Sequence, residues 1–163
     1  GDVGDELGSQ VIAARLVRDI MKLCFMLEKR YAPYSKWFGT AFDRLQSAQS
    51  LTPIFRSVLL ASTWPEREAH LADAYRIVAT LHNALGLTPP LPTEVSPYYG
   101  RPYRVLRAEF FAEALSAAIR EPEVKRLPLG VGAVDHWVDS TDVLSRPERL
   151  NSLRSIWNQK SEQ

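Results

Sequence analysis

Residues 30–39 gather, within ten positions, the side chains that could hold an anionic ligand beside an aromatic ring. Two basic groups supply positive charge, and three rings offer both a face for stacking and a polar atom. A serine here is placed to cap a helix, whose free backbone N–H groups attract anions. In this stretch, which we call the aromatic cluster, the candidate binding residues are Arg30, Tyr34, Ser35, Lys36 and Trp37. The alternative is a structural corner between two helices, in which the rings pack and the arginine pairs with an acid.

A second group of tyrosines and arginines, the tyrosine–arginine cluster, occupies residues 98–104. Five prolines between residues 87 and 103 forbid a continuous helix or a central strand, so we expect an irregular connection. Arg101 and Tyr103 are the candidate binding residues here. They could face the same ligand as the aromatic cluster.

Arg76 and His82 form a candidate catalytic pair. An arginine and a histidine a few residues apart resemble the signature of the helical ribonuclease-like HEPN domains, where such a pair would polarise an RNA phosphate and move a proton. Six residues along an unbroken helix leave the two side chains about 120° apart, so a kink is needed to bring them together. Without a kink, we expect a surface arginine and a packed histidine.

Other chemistry-bearing residue types lack the spacing that known sites require. The histidines, His70, His82 and His136, lie in different predicted elements, and there is no Cys-x-x-Cys or His-Glu-x-x-His pair. Phosphate-binding glycine loops and nucleophile elbows are missing, and the single Cys24 lies in an apolar run. Residues 139–142 offer too few oxygen ligands for an ion site and predict a turn or a helix start. We therefore predict no metal, no cofactor and no catalytic residue in this chain.

Helical periodicity predicts the elements that position these side chains. The two strongest helices are Leu7–Tyr31, with one apolar and one basic face, and a helix that follows a capping box at Thr63 and runs to Gly86. Further helices are expected from Lys36 to about Ala48, from Pro53 to about Ala61 with Thr52 as cap, from Val105 to Arg120, and after a capping box at Ser145. Strand signals are confined to short runs such as residues 131–138. The pattern indicates an all-α bundle of about five or six helices.

Composition is typical of one soluble globular domain, with 163 residues, 45% hydrophobic and 24% charged. Twenty basic and nineteen acidic residues leave a net charge of +1, and neither half resembles a nucleic-acid-binding arm. Residues 15–37 nevertheless hold six basic and two acidic groups, a local excess of +4. No stretch approaches 18 apolar residues, so no membrane partner is expected, and a lone cysteine suits the reducing cytoplasm.

Four stretches resemble a bacterial family of unknown function, family 4037 among the domains of unknown function. They are RLVRDIM at 15–21, LEKRYAPYSKWFGTAF at 27–42, RPYRVL at 101–106 and VDHWVDSTDVL at 134–144. That family usually follows an N-terminal nucleotidyltransferase-like domain. The resemblance implies that residues 1–163 are a single helical domain, the C-terminal part of a longer two-domain protein, comparable to the substrate-holding helical domains of aminoglycoside nucleotidyltransferases.

The resemblance also implies where catalysis would occur. Such enzymes bind two metal ions with a Gly-Ser turn and spaced acidic residues on strands, an arrangement that this sequence lacks, so the metal chemistry would lie upstream of Gly1. The leading hypothesis is thus a non-catalytic accessory domain that binds a phosphate-bearing or nucleotide-like small molecule for a nucleotidyltransferase-like domain in cis. The alternatives are a HEPN-like ribonuclease and a dimerisation or interaction domain that forms a homodimer.

Overall fold

A computed structural model describes residues 1–127, 132, 134–136, 138 and 140–158. The first helix, α1 (Glu6–Leu27), begins where the Gly8 amide donates a 2.8 Å hydrogen bond to the Asp5 carboxylate. It ends in a Schellman turn in which Lys29 adopts a left-handed backbone conformation with φ of 54°. The helix therefore stops before the predicted Tyr31, at a backbone turn rather than at the proline that follows.

The predicted second helix is instead a succession of short turns. A 3₁₀ turn at Ser35–Trp37 leads into α2 (Phe38–Phe42), and further turns follow to residue 47. The prediction of one helix from Lys36 to Ala48 with Ser35 as its cap is wrong. The reason is tertiary, because the Glu28 carboxylate accepts hydrogen bonds from the amides of residues 46 and 47 and so fixes where the next helix starts.

The next helix, α3 (Ala48–Leu60), starts five residues before the predicted Pro53, which lies inside it. Thr52 is therefore not its cap. Leu51, Phe55 and Val58 are buried along one side of this helix. Burial of this apolar side holds the helix together although proline removes one backbone donor near its first turn.

Helix α4 (Trp64–Ala84) confirms the strongest capping signal in the sequence. Thr63 and Glu66 form the expected capping box, and the Thr63 amide donates a 3.2 Å hydrogen bond to the Glu66 carboxylate. Hydrogen bonds from Thr63 hold the pKa of Glu66 below its usual value. The helix is followed by Gly86, whose φ of 63° suits the turn that ends it.

The core lies among α1, α3 and α4, each of which packs against the other two. Aromatic side chains join α2 to this core, since the Phe42 ring lies 6.4 Å from Phe25 and 5.6 Å from Phe55, measured between centroids. The fully or nearly buried apolar residues are Ala13, Val17, Ile20, Cys24, Phe25, Phe42, Leu45, Ala48, Leu51, Phe55, Val58, Leu71, Ala74 and Val78.

One charged residue lies inside this region. Arg67, only 2% exposed, donates hydrogen bonds to the Ala61 carbonyl at 2.7 Å and to the Ser9 hydroxyl at 3.2 Å, and it forms an ion pair with Glu6. The Glu6 carboxylate also accepts the Trp64 amide at 3.2 Å. This cluster fastens the start of α4 to the start of α1.

The proline-rich connection contains a hairpin that the sequence analysis did not predict. Strands β1 (Ser96–Tyr98) and β2 (Arg101–Val105) are antiparallel, and the two residues between them, Tyr99 and Gly100, have φ of 44° and 76°. Positive φ at both positions is typical of the tight hairpin turn. Both strands are edges of a two-stranded sheet, so their prolines leave no central ladder unpaired. The expectation of a wholly irregular segment is therefore wrong.

Helix α5 (Ala108–Ala118) is shorter than the predicted Val105–Arg120, because β2 continues to residue 105. Before the hairpin, the Asn83 side chain exchanges two hydrogen bonds with the Leu91 backbone, at 2.8 and 3.0 Å. This clamp attaches the proline-rich segment to α4.

Residues 1–118 form one compact unit and residues 119–163 a second. The second unit contains a 3₁₀ turn at Val134–His136 and the short helices α6 (Pro122–Lys125), α7 (Thr141–Leu144), α8 (Pro147–Ser152) and α9 (Ser155–Asn158). The predicted capping box at Ser145 is wrong, because its hydroxyl donates to the Thr141 carbonyl within the preceding turn. The strand signal at 131–138 lies largely outside the described residues, as does Asp139.

The all-α fold class is confirmed, since helices dominate the described residues and the sheet has only two strands. The assignment of residues 1–163 to one domain of a larger two-domain protein stays a prediction. None of the helices in the described parts of the chain has the length and apolar character needed to cross a bilayer.

Candidate ligand-binding site

The aromatic cluster lies where the chain leaves α1 and crosses to α2. Residues 30–34 form an open segment, and the 3₁₀ turn Ser35–Trp37 follows. Beneath it, the ring of Phe38 contacts that of Phe25, with centroids 5.5 Å apart. The cluster therefore rests on a packed aromatic base.

Three rings of the cluster project into solvent. Their residues are 80% exposed for Tyr31, 53% for Tyr34 and 58% for Trp37. The Lys36 ammonium lies 5.4 Å from the centroid of the Trp37 ring, within the range of a cation–π interaction. Arg30 and Ser35 are also exposed, so all five predicted residues of this cluster are accessible to a ligand. The alternative in which these rings pack into a corner does not describe them, because Phe25 and Phe38 supply the packing instead.

The backbone contributes less to this site than the sequence suggested. The turn at Ser35–Trp37 has three residues and α2 has five. A macrodipole grows with the number of aligned peptide units, so these short elements attract an anion weakly. Any anion here would depend mainly on the side chains of Arg30 and Lys36.

Glu28 fixes the position of the cluster from below. Its two carboxylate oxygens accept the amides of Gln46 and Ser47, each at 2.9 Å. Burial raises the pKa of Glu28, but hydrogen bonds from Ser47 and Gln46 and the charge of Arg30 outweigh burial and hold the pKa below its ordinary 4.5. The only acid near the end of α1 is thus turned toward α3 among residues 24–38, which leaves the exposed side of the cluster positive.

We expect Glu28→Gln to destabilise the protein by about 1 kcal/mol at about pH 7, because an amide accepts hydrogen bonds less strongly than a carboxylate. A group with a lowered folded pKa contributes stability above its unfolded pKa and loses that contribution as the pH falls through the folded value. The two proteins should therefore converge as the pH drops below 4.5. Urea unfolding at about pH 7 and about pH 3 measures this. A difference that stays constant with pH would contradict a capping role for the ionised carboxylate.

The tyrosine–arginine cluster lies at the other end of α1. The Tyr103 hydroxyl donates a 2.9 Å hydrogen bond to Asp2, which precedes the helix, and this bond raises the pKa of Tyr103. Helix α1 has 22 residues and is about 33 Å long, so one small ligand cannot reach both clusters. The structure thus separates Arg101 and Tyr103 from the residues that follow α1.

The side chains around the hairpin are also engaged with one another. The Arg107 guanidinium lies 4.8 Å from the centroid of the Tyr99 ring, and the Tyr98 ring approaches the same ring edge-on at 4.9 Å. The backbone of Arg104 donates to Glu68 of α4. These contacts favour a structural role for the hairpin, which attaches β2 to α4 and to the start of the chain.

The structure does not bring Arg76 and His82 together. Helix α4 is unbroken through both positions, so the required kink is missing from this described helix. The Arg76 guanidinium pairs with Asp73 at 2.7 Å and Glu94 at 3.1 Å. His82 is buried, with its ring 3.1 Å from the Thr88 hydroxyl. The ribonuclease hypothesis therefore has no geometric support here.

Comparison with known families identifies the N-terminal part of the chain. Residues 1–38 match the family model of a domain of unknown function, DUF4037. The family resemblance inferred from the sequence is confirmed over these residues. The DUF4037 segment contains α1 and the aromatic cluster as far as Phe38. No curated protein matches the chain, and no solved structure does.

Two residues that support the DUF4037 segment were missed by the sequence analysis. Glu28 was counted only as a charge, although its position just after the last apolar residue of a helix is a signal for a side chain that can turn inward. Arg67 occupies a helix position three residues after the start of α4 and gave no signal of burial. Both acquire their roles through contacts with residues 18 to 61 positions away along the chain.

Two other potential sites carry no ligand-binding geometry among the described residues. Burial raises the pKa of the Cys24 thiol to about 11, so this side chain stays protonated and unreactive at neutral pH. Among the same residues, no group of three or more His, Cys, Asp or Glu side chains is placed to hold a metal ion.

The outward face of α1 presents a second surface. Its large apolar side chains near the start of the chain are exposed by 60% or more, and they are Val3, Leu7, Val11 and Ile12. Single exposed apolar residues are ordinary, but a contiguous group on one helix is typical of a contact surface.

Proposed function

We propose that this chain is a non-catalytic helical accessory domain that binds or orients a phosphate-bearing, nucleotide-like substrate for a nucleotidyltransferase-like domain joined to it in cis. The observation that carries the proposal is the aromatic cluster, where exposed rings and cations share one short segment. Arg30 and Lys36 supply charge for a phosphate, and Trp37 or Tyr34 supplies a face for a base.

The rigid support of the cluster favours binding. Phe38 packs on Phe25, and Glu28 holds the start of α3 directly beneath the crossing segment. Side chains mounted on an ordered backbone lose less conformational entropy when a ligand binds. The cluster can therefore present its rings without first folding around the ligand.

The partner domain in cis is proposed from the family resemblance, and the exposed face of α1 suits it. In a parent protein of that kind the nucleotidyltransferase-like domain precedes the DUF4037 segment, and it would be joined close to Val3 and Leu7. Contact there would remove exposed apolar area from water, which is the main favourable contribution in protein association. The metal chemistry would belong to that domain. A homodimer through the same face is the alternative for this surface.

The proposal is tested by titrating the chain with adenosine monophosphate and with pyrophosphate while following its amide NMR signals. We expect the shifts to concentrate in residues 30–37. Lys36→Ala should weaken binding about 10-fold, because a hydrogen bond to a charged group contributes about 1.5 kcal/mol.

Lys125→Ala is the matched control, since it removes the same charge from an exposed helix in the second unit. It should leave the affinity unchanged. Shifts confined to the tyrosine–arginine cluster, or no shifts with either ligand at millimolar concentration, would overturn the assignment of this site.

A further inference from the structure

We infer that the aromatic cluster binds a single-stranded nucleic acid of several nucleotides, so that the substrate of the proposed accessory domain is an oligonucleotide end rather than a free mononucleotide. This inference rests on the proposed function, because it names the substrate class of the same site. Its starting observation is the number of exposed rings, three within seven residues: Tyr31, Tyr34 and Trp37.

One mononucleotide can stack on one ring or lie between two, so a third exposed ring exceeds what it needs. Successive bases of a single strand, in contrast, each present a face to an aromatic side chain. Exposing three large rings to water is unfavourable without a partner. An oligonucleotide gives each of them one.

The spacing of the rings fits a short strand. Tyr31 and Tyr34 are separated by three residues of open backbone, which span at most about 10 Å. Tyr34 and Trp37 are separated by a 3₁₀ turn, which rises about 6 Å over three residues. The rings therefore extend over at most about 16 Å, the length of about three or four nucleotides in a single strand.

The charges of the segment match a phosphate backbone. Lys29, Arg30 and Lys36 lie within eight residues and are all exposed. Glu28, the nearest acid along the chain, directs its carboxylate at the amides that start α3 instead of at this surface. A positive segment beside exposed rings is the arrangement by which proteins bind single strands without reading their sequence.

The tyrosine–arginine cluster has a similar composition but does not offer the same surface. Its exposed ring, Tyr99, already has Arg107 over one side and Tyr98 against its edge. Asp2, Glu68 and Glu109 lie against its hydroxyl and arginine groups. Composition alone would have ranked the two clusters equally, and the contacts favour the aromatic cluster.

The test measures fluorescence anisotropy of labelled oligo(dT) and oligo(U) of two, four and eight nucleotides with the purified chain. We expect affinity to rise steeply from two to four nucleotides and little from four to eight. It should fall as salt is added, with a shallower salt dependence in Lys36→Ala, because each phosphate contact releases counterions. The two backbones distinguish DNA from RNA as the source of the strand.

Trp37→Ala should weaken binding of the four-nucleotide strand about 5- to 100-fold, the effect of removing one base–aromatic stack. Trp37→Phe keeps a ring and should restore most of the affinity. Tyr99→Ala, at an equally exposed tyrosine of the hairpin, is the matched control and should have no effect. Urea unfolding of each variant checks that these exposed substitutions leave the fold intact.

The outcomes separate this inference from the proposed function. If adenosine monophosphate shifts residues 30–37 but affinity does not rise with strand length, the inference is wrong and the proposed function stands. If Tyr99→Ala weakens binding as much as Trp37→Ala, the site is wrong. If neither mononucleotide nor oligonucleotide binds, both proposals are overturned. Tighter binding of a duplex than of the matching single strand would also overturn the inference, because paired bases cannot stack on the rings.

Discussion

Arg67→Ala should destabilise the first unit by about 3–5 kcal/mol, the loss expected when a buried ion pair is broken. The side chain is 2% exposed and bonds to Glu6, the Ala61 carbonyl and Ser9. Removing it leaves a cavity and a carbonyl without its donor, and it separates the starts of α1 and α4. Urea or thermal unfolding followed by circular dichroism measures the change.

Two further variants make this prediction specific to the buried contacts. Arg76→Ala removes an arginine with two carboxylate partners from the more exposed side of the same helix, and it should cost at most about 1 kcal/mol. Arg67→Lys keeps the charge but cannot donate in three directions, so it should fall between the two alanine variants. Equal losses for Arg67→Ala and Arg76→Ala would show that the buried cluster contributes nothing beyond an ordinary surface pair.

Phe42→Ala should destabilise the protein by about 3–5 kcal/mol through loss of a buried aromatic side chain. Its ring lies between Phe25 of α1 and Phe55 of α3, so the cavity would open where α2 joins the core. Since the same aromatic packing supports the aromatic cluster, ligand affinity at residues 30–37 should fall as well. Unfolding in urea and the ligand titration together measure both effects.

Phe110→Ala provides the control for Phe42→Ala, because that ring is about half exposed on α5. Its cost should stay below about 1 kcal/mol, and ligand binding should not change. A small effect of Phe42→Ala on stability would contradict the packing described for α2. A large effect on stability with unchanged ligand affinity would show that the cluster does not depend on its aromatic base.

The elements that the sequence predicted well are those whose signals are local. Helix α4 has a capping box, a proline in its first turn and a glycine after its end, all within a few residues of the backbone groups that they satisfy. The apolar and basic faces of α1 likewise follow from the helical repeat. The aromatic cluster was found because its residue types are adjacent in the chain.

The elements that the sequence predicted poorly depend on distant contacts. Pro53 looked like a helix start, but α3 begins earlier because Glu28 accepts the amides of residues 46 and 47. The hairpin escaped prediction because prolines argue against strands in general, although they are compatible with a sheet made of two edges. In both cases a local rule was outweighed by a partner that the local sequence does not reveal.

By itself, the sequence determined that this chain forms helices, which of their faces are apolar, and which short segments carry exposed rings and charge. Only the tertiary structure decided which of those segments share a surface. It placed the two clusters at opposite ends of α1, separated Arg76 from His82, and turned Glu28 inward so that the aromatic cluster keeps its positive charge. The physical reason is that propensity and capping act over a few residues, whereas burial and hydrogen bonding between helices depend on side chains far apart in the chain.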